Sequence, residues 1–251
     1  MISERVPIRF HPVSGNDSIF TMSLRELTGK DEMAVQGIDT RSSIELLESL
    51  VITNDKNNYI YDMCASDRDS LLAAIQRQYW GDKIISTLKC SRCDEKFDLS
   101  FRLSELQEHI SQDIKQWEAG GNLTAKNVSG ENIRLPSAKD EITIGNRLNS
   151  ENIKNYAEVL GFDLNDIDVI SKNMERAAPI LDLELNCSCS ECGEEQLAHF
   201  DIQSFLLNKL LNEREGLFTE VHYLASIYNW SLNEILDMPR TMRKTMARML
   251  D

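Results

Sequence analysis

Two short cysteine turns carry the clearest chemical potential in this chain, Cys90-Ser91-Arg92-Cys93 and Cys189-Ser190-Glu191-Cys192-Gly193. Cysteines separated by two residues can turn both sulfurs inward at a hairpin tip, where they hold two corners of a tetrahedral zinc site. A closed structural site takes four ligands, so each turn supplies half of one. The surrounding text repeats as well. An offset of 99 residues carries Cys90 onto Cys189, Ser91 onto Ser190, Cys93 onto Cys192 and Phe101 onto Phe200, while Leu103 meets Ile202 and Leu106 meets Phe205. The expectation is one unit used twice, with a single structural zinc ion on Cys90, Cys93, Cys189 and Cys192 joining the copies.

Other readings of these cysteines stand beside that one. Reduced cysteines packed as small hydrophobes would need no metal. A redox pair should open a helix after a buried strand, which neither turn does. Cys187-x-Cys189 is a second plausible ligand pair, although Cys189 and Cys192 are the two with counterparts in the first turn. Cys64 stands alone and reads as a buried free thiol. The histidines (His11, His109, His199, His222) form no hydrolase array, and His199 is poorly placed to join a knuckle with Cys192. Glu220 and His222, two apart on a helix, point to different faces. There is no phosphate-binding glycine loop and no nucleophile elbow. A zinc held by four thiolates keeps no open position, so it stiffens structure and does not activate water. The reading is therefore of a protein that is not an enzyme, with no catalytic residues and no small-molecule substrate.

With 251 residues the chain can bury a sizeable core as one large domain or two modest ones. No apolar run approaches the roughly 20 residues of a membrane helix. The start, Met1-Ile2-Ser3-Glu4-Arg5, lacks the apolar core of a signal peptide, and reduced cysteines at metal spacing add to a cytoplasmic expectation. A net charge of −14 opposes nucleic acid and anionic lipid and suits basic protein surfaces.

The elements that must position the turns are mostly helical. Val6 to Phe20 reads as a strand or hairpin interrupted by Pro7, Pro12 and Gly15. Short helices follow Thr28 or Asp31 and cover Ser42 to Leu50. A stronger one runs from Ser66 to about Tyr79, with Leu71, Leu72, Ile75 and Tyr79 at helical spacing and Gly81 as its stop. Strands Ile84–Lys89 and Lys96–Phe101 flank the first turn. Ser104-x-x-Gln107 predicts a helix to about Trp117, and polar Gly120–Asn132, with Gly121 and Gly130, reads as a connection. The second copy reopens at an offset of 109, where Arg134, Lys139, Asp140 and Glu141 fall on Arg25, Lys30, Asp31 and Glu32. The Lys-Asp-Glu triplets read as solvated helix starts, with acids favoured by the dipole. Helices at 151–160 and 165–177 and the strand Ile180–Leu185 lead into the second turn. A long apolar stripe then spans Gln203 to Tyr228, where Gly216 is the expected kink or weak point. Ser231-x-x-Glu234 opens a short helix, and Pro239 starts a last one bearing Arg240, Arg243, Lys244 and Arg248. That basic tip is read as a solvated helix end, or else as the local candidate for an anionic partner.

Several stretches resemble the T4-type baseplate hub assembly chaperones and baseplate proteins of contractile phage tails and extracellular contractile injection systems. The resemblance lies in Leu24-Arg25-Glu26-Leu27-Thr28-Gly29-Lys30-Asp31-Glu32, Asp67-Arg68-Asp69-Ser70-Leu71-Leu72, Tyr79-Trp80-Gly81-Asp82, Cys90-x-x-Cys93 and Leu135-Pro136. It is densest from Cys189-Ser190-Glu191-Cys192-Gly193 through Phe200-Asp201-Ile202, Glu220-Val221-His222 and Tyr228-x-Trp230-Ser231 to the basic end. Relatives usually carry a proline between the knuckle cysteines, where this chain has Ser91-Arg92 and Ser190-Glu191. The resemblance implies a non-enzymatic structural or assembly role in the baseplate or hub. The partners it implies are other tail proteins, met in the cytoplasm during assembly or in the finished particle. The alternative is a zinc-ribbon nucleic-acid-binding protein using the C-terminal segment as a helix–turn–helix.

The expected architecture is α+β, mostly helical and internally duplicated. Residues 1–119 form the first repeat, 120–132 a linker and 133–202 the second repeat, with 203–251 a C-terminal helical extension. Two half zinc ribbons share one four-cysteine site, and a long C-terminal helical hairpin completes the fold.

Overall fold

A computed structural model describes residues 2–10, 20–52, 59–120, 123–127, 129–145 and 150–249. Strand β1 (Ile2–Ile8) pairs antiparallel with β2 (Phe20–Arg25), which also carries the two-residue β3 (Val51–Ile52) on its other edge. A hairpin is present, but its strands start before Val6 and end after Phe20, the bounds read from the sequence. Its interruption at Pro12 and Gly15, with His11, lies outside the described residues. Helices α1 (Gly29–Ala34), α2 (Thr40–Leu50) and α3 (Ala65–Trp80) follow, then the hairpin β4 (Lys83–Lys89)–β5 (Lys96–Arg102) and α4 (Leu103–Ile110).

A three-stranded meander, β6 (Trp117–Gly120), β7 (Thr124–Asn127) and β8 (Asn132–Arg134), leads to the second half. There α5 (Ala138–Ile144), α6 (Ser150–Leu160) and α7 (Ile167–Ala177) precede the hairpin β9 (Asp182–Ser188)–β10 (Glu195–Asp201) and α8 (Ile202–Asn212). Three helices, a hairpin and a helix thus succeed one another in both halves. Helices α9 (Arg214–Tyr228), α10 (Leu232–Asp237) and α11 (Arg240–Arg248) close the chain.

Local chemistry explains several boundaries. Thr28 with Asp31, Ser137 with Asp140 and Ser231 with Glu234 form capping boxes that open α1, α5 and α10. Gly81 ends α3 at φ +84°, a conformation that suits a residue without a side chain. The Asp201 carboxylate accepts from the Gln203 and Ser204 amides and so caps α8.

One core runs through both halves. Leu27, Ile44, Leu47, Leu71, Leu72 and Ile75 pack in the same buried cluster as Leu181, Phe200, Ile202, Leu206 and Leu210. Helix α3 lies at its centre. Its run Leu71–Gln76 is buried on every side, which is why it reads as apolar beyond one face.

Four sequence expectations change. The helix opened near Ser104 stops at Ile110, and Trp117 begins a strand. Asp82 supplies its cap from outside, accepting from the Ser104 amide at 2.9 Å and hydroxyl at 2.7 Å. The polar connection carries β7 and the start of β8. The long stripe from Gln203 breaks at Glu213, not at Gly216, which sits inside α9. The Lys-Asp-Glu start of α1 is not solvated as a whole, because Asp31 and Glu32 are buried.

Candidate metal centre

Each cysteine turn is the tip of a regular antiparallel hairpin, entered at the pair Lys89↔Lys96 in one and Ser188↔Glu195 in the other. The tips share their backbone bonds. The Cys90 amide donates to the Glu95 carbonyl and the Cys189 amide to the Glu194 carbonyl, both at 2.9 Å. The residue after the second cysteine of each turn folds back, its amide donating to the first cysteine's carbonyl, Asp94 at 3.2 Å and Gly193 at 3.0 Å, in left-handed conformations of φ +62° and +70°. Two more amides, of Arg92 and Glu191, point at the sulfurs of Cys90 and Cys189 at 3.4 Å. At Cys90 such amides favour the thiolate.

The hairpins meet tip to tip. The Sγ atoms of Cys90, Cys93, Cys189 and Cys192 all lie within 4.8 Å of one another, with Cys90–Cys192 at 3.6 Å and Cys93–Cys189 at 3.8 Å. A disulfide would need about 2.05 Å. Thiolates at about 2.3 Å from a common zinc ion, at tetrahedral angles, stand about 3.8 Å apart. The donor set and its spacing therefore fit a closed four-thiolate site. Cys90 and Cys189 are buried, Cys93 is half-buried and Cys192 is exposed, so the site lies at the surface with one side packed.

Amides of Cys93 and Arg92 hold the Cys90 thiol down at about 7. The Glu95 amide works the same way on Cys93, but burial and the neighbouring sulfurs push that thiol up to about 12. Four sulfurs this close cannot all carry charge without a cation among them. Phe97, Ala198 and the half-buried Leu88 and Leu99 wall the cluster. Gln196 ties the two tips together, accepting from the Ser91 amide at 3.0 Å and donating to the Lys89 carbonyl at 3.2 Å. Below the tips, Phe101 and Phe200 meet edge to face at 5.0 Å, the aromatic pair that the repeat had matched.

The remaining candidates go elsewhere. Cys187 belongs to the buried wall, its thiol donating to the Gln196 carbonyl, and it is not one of the four clustered sulfurs. Cys64 is a buried thiol beside Asp67 at 3.8 Å. His199 pairs with Asp182 across the second hairpin at 2.7 Å.

Two ion-pair clasps were not foreseen. At the start of α1, Asp31 pairs with Arg25 at 2.7 Å, and Glu32 receives both Arg240 and Arg243 of α11. At the start of α5, Asp140 pairs with Arg134 at 3.4 Å, and Glu141 receives Arg68 of α3 at 2.6 Å. The repeated Arg…Asp-Glu spacing was the signal for both, but nothing local names the distant arginines. The basic tip is likewise corrected. Arg240 and Arg243 are buried, and with Lys244 they pair to Glu213 and Glu220; of its four cations only Arg248 is exposed. A helix–turn–helix reading of this segment loses the basic face it needs.

Among the described residues no helix is long and apolar enough to cross a membrane. Searches of curated proteins and of solved structures returned no match. A protein-family model described as T4 bacteriophage base plate protein matches residues 7–207, which contain both hairpins and all four clustered cysteines. The match covers well over half of the sequence, and the chain belongs to the T4 bacteriophage base plate protein family.

Proposed function

We propose that this protein is a non-enzymatic structural or assembly component of a contractile-tail baseplate or hub, braced by one zinc ion per chain on Cys90, Cys93, Cys189 and Cys192. The family match supports the baseplate role, and the convergence of four sulfurs from hairpins almost a hundred residues apart carries the brace. A four-thiolate zinc contributes folding free energy and no reactivity. Its work would be to fix the two hairpins, and through α4 and α8 the helices behind them, as a rigid body on which other tail proteins dock. The acidic surface suits basic partners, met in the cytoplasm of the cell where the tail is built.

We also infer that residues 1–119 and 133–202 are two copies of one unit, joined through 120–132 and completed by the extension 203–251. The matched helix order, the paired capping boxes and the identical turn bonds support a duplication. The zinc would then be the joint between two half ribbons.

Metal analysis of the purified chain tests the brace. About one zinc per chain is expected, falling to none in Cys90→Ser and Cys192→Ser and unchanged in Cys187→Ser. Full occupancy in Cys192→Ser would refute the ligand set. Co-purification with tail proteins of the same particle, without retention on DNA at physiological salt, tests the partner class separately.

A further inference from the structure

The two clasps obey one rule. In each, the N-cap residues of two helices meet in an antiparallel bridge, Thr28 with Pro239 and Cys64 with Ser137. The Arg240 amide donates to the Leu27 carbonyl at 2.7 Å in the first, and the Ala138 amide to the Met63 carbonyl at 2.8 Å in the second. Four residues past each cap stands a charge, Glu32 facing Arg243 and Glu141 facing Arg68, and both pairs close at 2.6 Å. Four residues is about one helical turn, so each side chain returns to the side of its own cap and meets its opposite across the bridge. An offset of 175 lays Met63-Cys64-x-x-x-Arg68 over Met238-Pro239-x-x-x-Arg243. Helix α11 is to α1 what α3 is to α5.

The second half offers α1 no such helix, because α7 has Ile170 four residues past its cap Asp166. What fills α1 is α10–α11, tethered by the turn Asn229-Trp230-Ser231, in which Asn229 is left-handed at φ +54°. The docking joins charge to an apolar contact, α11 burying Arg240, Arg243 and Ala247 and α10 burying Ile235 and Leu236. Gly29 sits under it. A Cβ there would lie 2.8 Å from Leu236 Cδ2 and 2.9 Å from Arg243 Nη1, whereas the corresponding residue of the other clasp is Ala138. A helical element joined through a three-residue turn to a self-complementary site is the arrangement that lets copies trade elements.

We propose that α10–α11 exchanges between copies of this chain, α11 of one molecule docking on α1 of the next through the same Glu32–Arg243 pairing. The occupant is a second copy because the chain carries both the receptor helix and the arginine helix that matches it. Such a contact is head-to-tail and closes into a ring or continues as a filament. It does not depend on the zinc.

Lys30 on α1 and Asp237 on α10 form an exposed pair at 2.7 Å across this junction, so a zero-length carbodiimide can record which molecule supplies the arm. Unlabelled and nitrogen-15-labelled full-length chains would be mixed over a range of concentrations, cross-linked and digested. Exchange gives Lys30–Asp237 peptides of mixed label that rise with protein concentration. Mixed peptides should be lost in Glu32→Gln, which removes the charge, and in Gly29→Ala, which fills the space under α11. If only uniformly labelled cross-links form at every concentration, the arm stays on its own chain and the proposal fails. Mixed peptides that persist in folded Gly29→Ala would show collision in place of docking, and would overturn it equally.

Discussion

The two clasps share a backbone bridge and a Glu–Arg pair, yet their charge counts differ, and that difference sets how each responds to change. At α1 three cations, Arg240, Arg243 and Lys244, meet three carboxylates, Glu32, Glu213 and Glu220. At α5, once the local pair Arg134–Asp140 is set aside as Arg25–Asp31 is at α1, one cation, Arg68, faces Glu141 and Asp69, with Asp201 close behind. In the balanced clasp partial burial works to raise Glu213, but hydrogen bonds from Arg240, Trp80 and Lys244 hold it at about 2. In the other, burial together with the surplus of acids pushes Asp69 up to about 7 in spite of Arg68. Around one shared bridge geometry, different surrounding acids therefore titrate in opposite directions.

The harshest way to break the comparison is to remove the zinc that we propose both halves share. A structural zinc site of this type is worth about 10–16 kcal/mol of apparent binding in isolated fingers, more than the net stability of most domains. Chelation or Cys192→Ser should therefore lower the melting temperature by more than about 10 °C, at roughly 2–4 °C per kcal/mol for a chain of this size. A change below that would mean that the clasps, not the hairpins, hold the halves together. Next in size is the loss of a single arginine. Arg68→Met leaves Glu141 without its cation and should cost about 3–5 kcal/mol in urea unfolding. Arg243→Met leaves Glu32 paired with Arg240, so about 1.5–3 kcal/mol is expected. The reverse order would show that charge balance does not decide the strength of a clasp.

What could be read beforehand was whatever local geometry decides. Two-residue cysteine spacing, the capping box at Ser231 and Glu234 and the Gly81 stop each act within a few residues, and each appears where its chemistry puts it. The break in the long C-terminal stripe could not be placed that way. Gly216 looked like the weak point, but the helix gives way at Glu213, whose carboxylate reaches Trp80 and Arg240. The acids at the start of α1 looked solvated for the same reason, since Arg240 stands 208 residues from Glu32. A charge's partner is a tertiary fact, and sequence offers only its spacing.

The pH response sharpens the contrast and carries opposite signs. Asp69 has an ordinary carboxyl value near 3.8 when unfolded and about 7 when folded, so between those values the folded chain holds a proton that the unfolded chain has released. Stability contributed here is full in acid and falls as pH rises through about 7. Glu213 runs the other way, from an ordinary 4.5 down to about 2, and its contribution is present above 4.5 and lost as pH falls through 2. Asp69→Asn keeps an oxygen for the Leu181 amide at 2.8 Å but cannot titrate. Relative to wild type it should gain on the order of a few kcal/mol between pH 5 and pH 8. Glu213→Gln should lose its penalty of about 1–2 kcal/mol only below pH 4. Parallel pH profiles for Asp69→Asn and wild type would remove the claim that the α5 clasp is over-supplied with acid.

The smallest test compares the two knuckles themselves. Each needs a left-handed residue after its second cysteine, and the chain uses Asp94 in one and Gly193 in the other. Aspartate tolerates that region better than most residues, and Asp94 also pairs with Lys89 at 2.8 Å, although both side chains are largely exposed. Asp94→Gly trades modest backbone relief against a floppier unfolded chain and a weak ion pair, so the net change should stay within about 0.5 kcal/mol. Gly193→Ala meets no atom within 4 Å of the new Cβ, and its cost is that of the backbone angle alone, about 1–2 kcal/mol. Urea unfolding of the zinc-loaded variants measures both. If Asp94→Gly proved as costly as Gly193→Ala, the Asp94 side chain would have a task in the first turn that the second turn does without, and the equivalence of the two tips would end at the sulfurs.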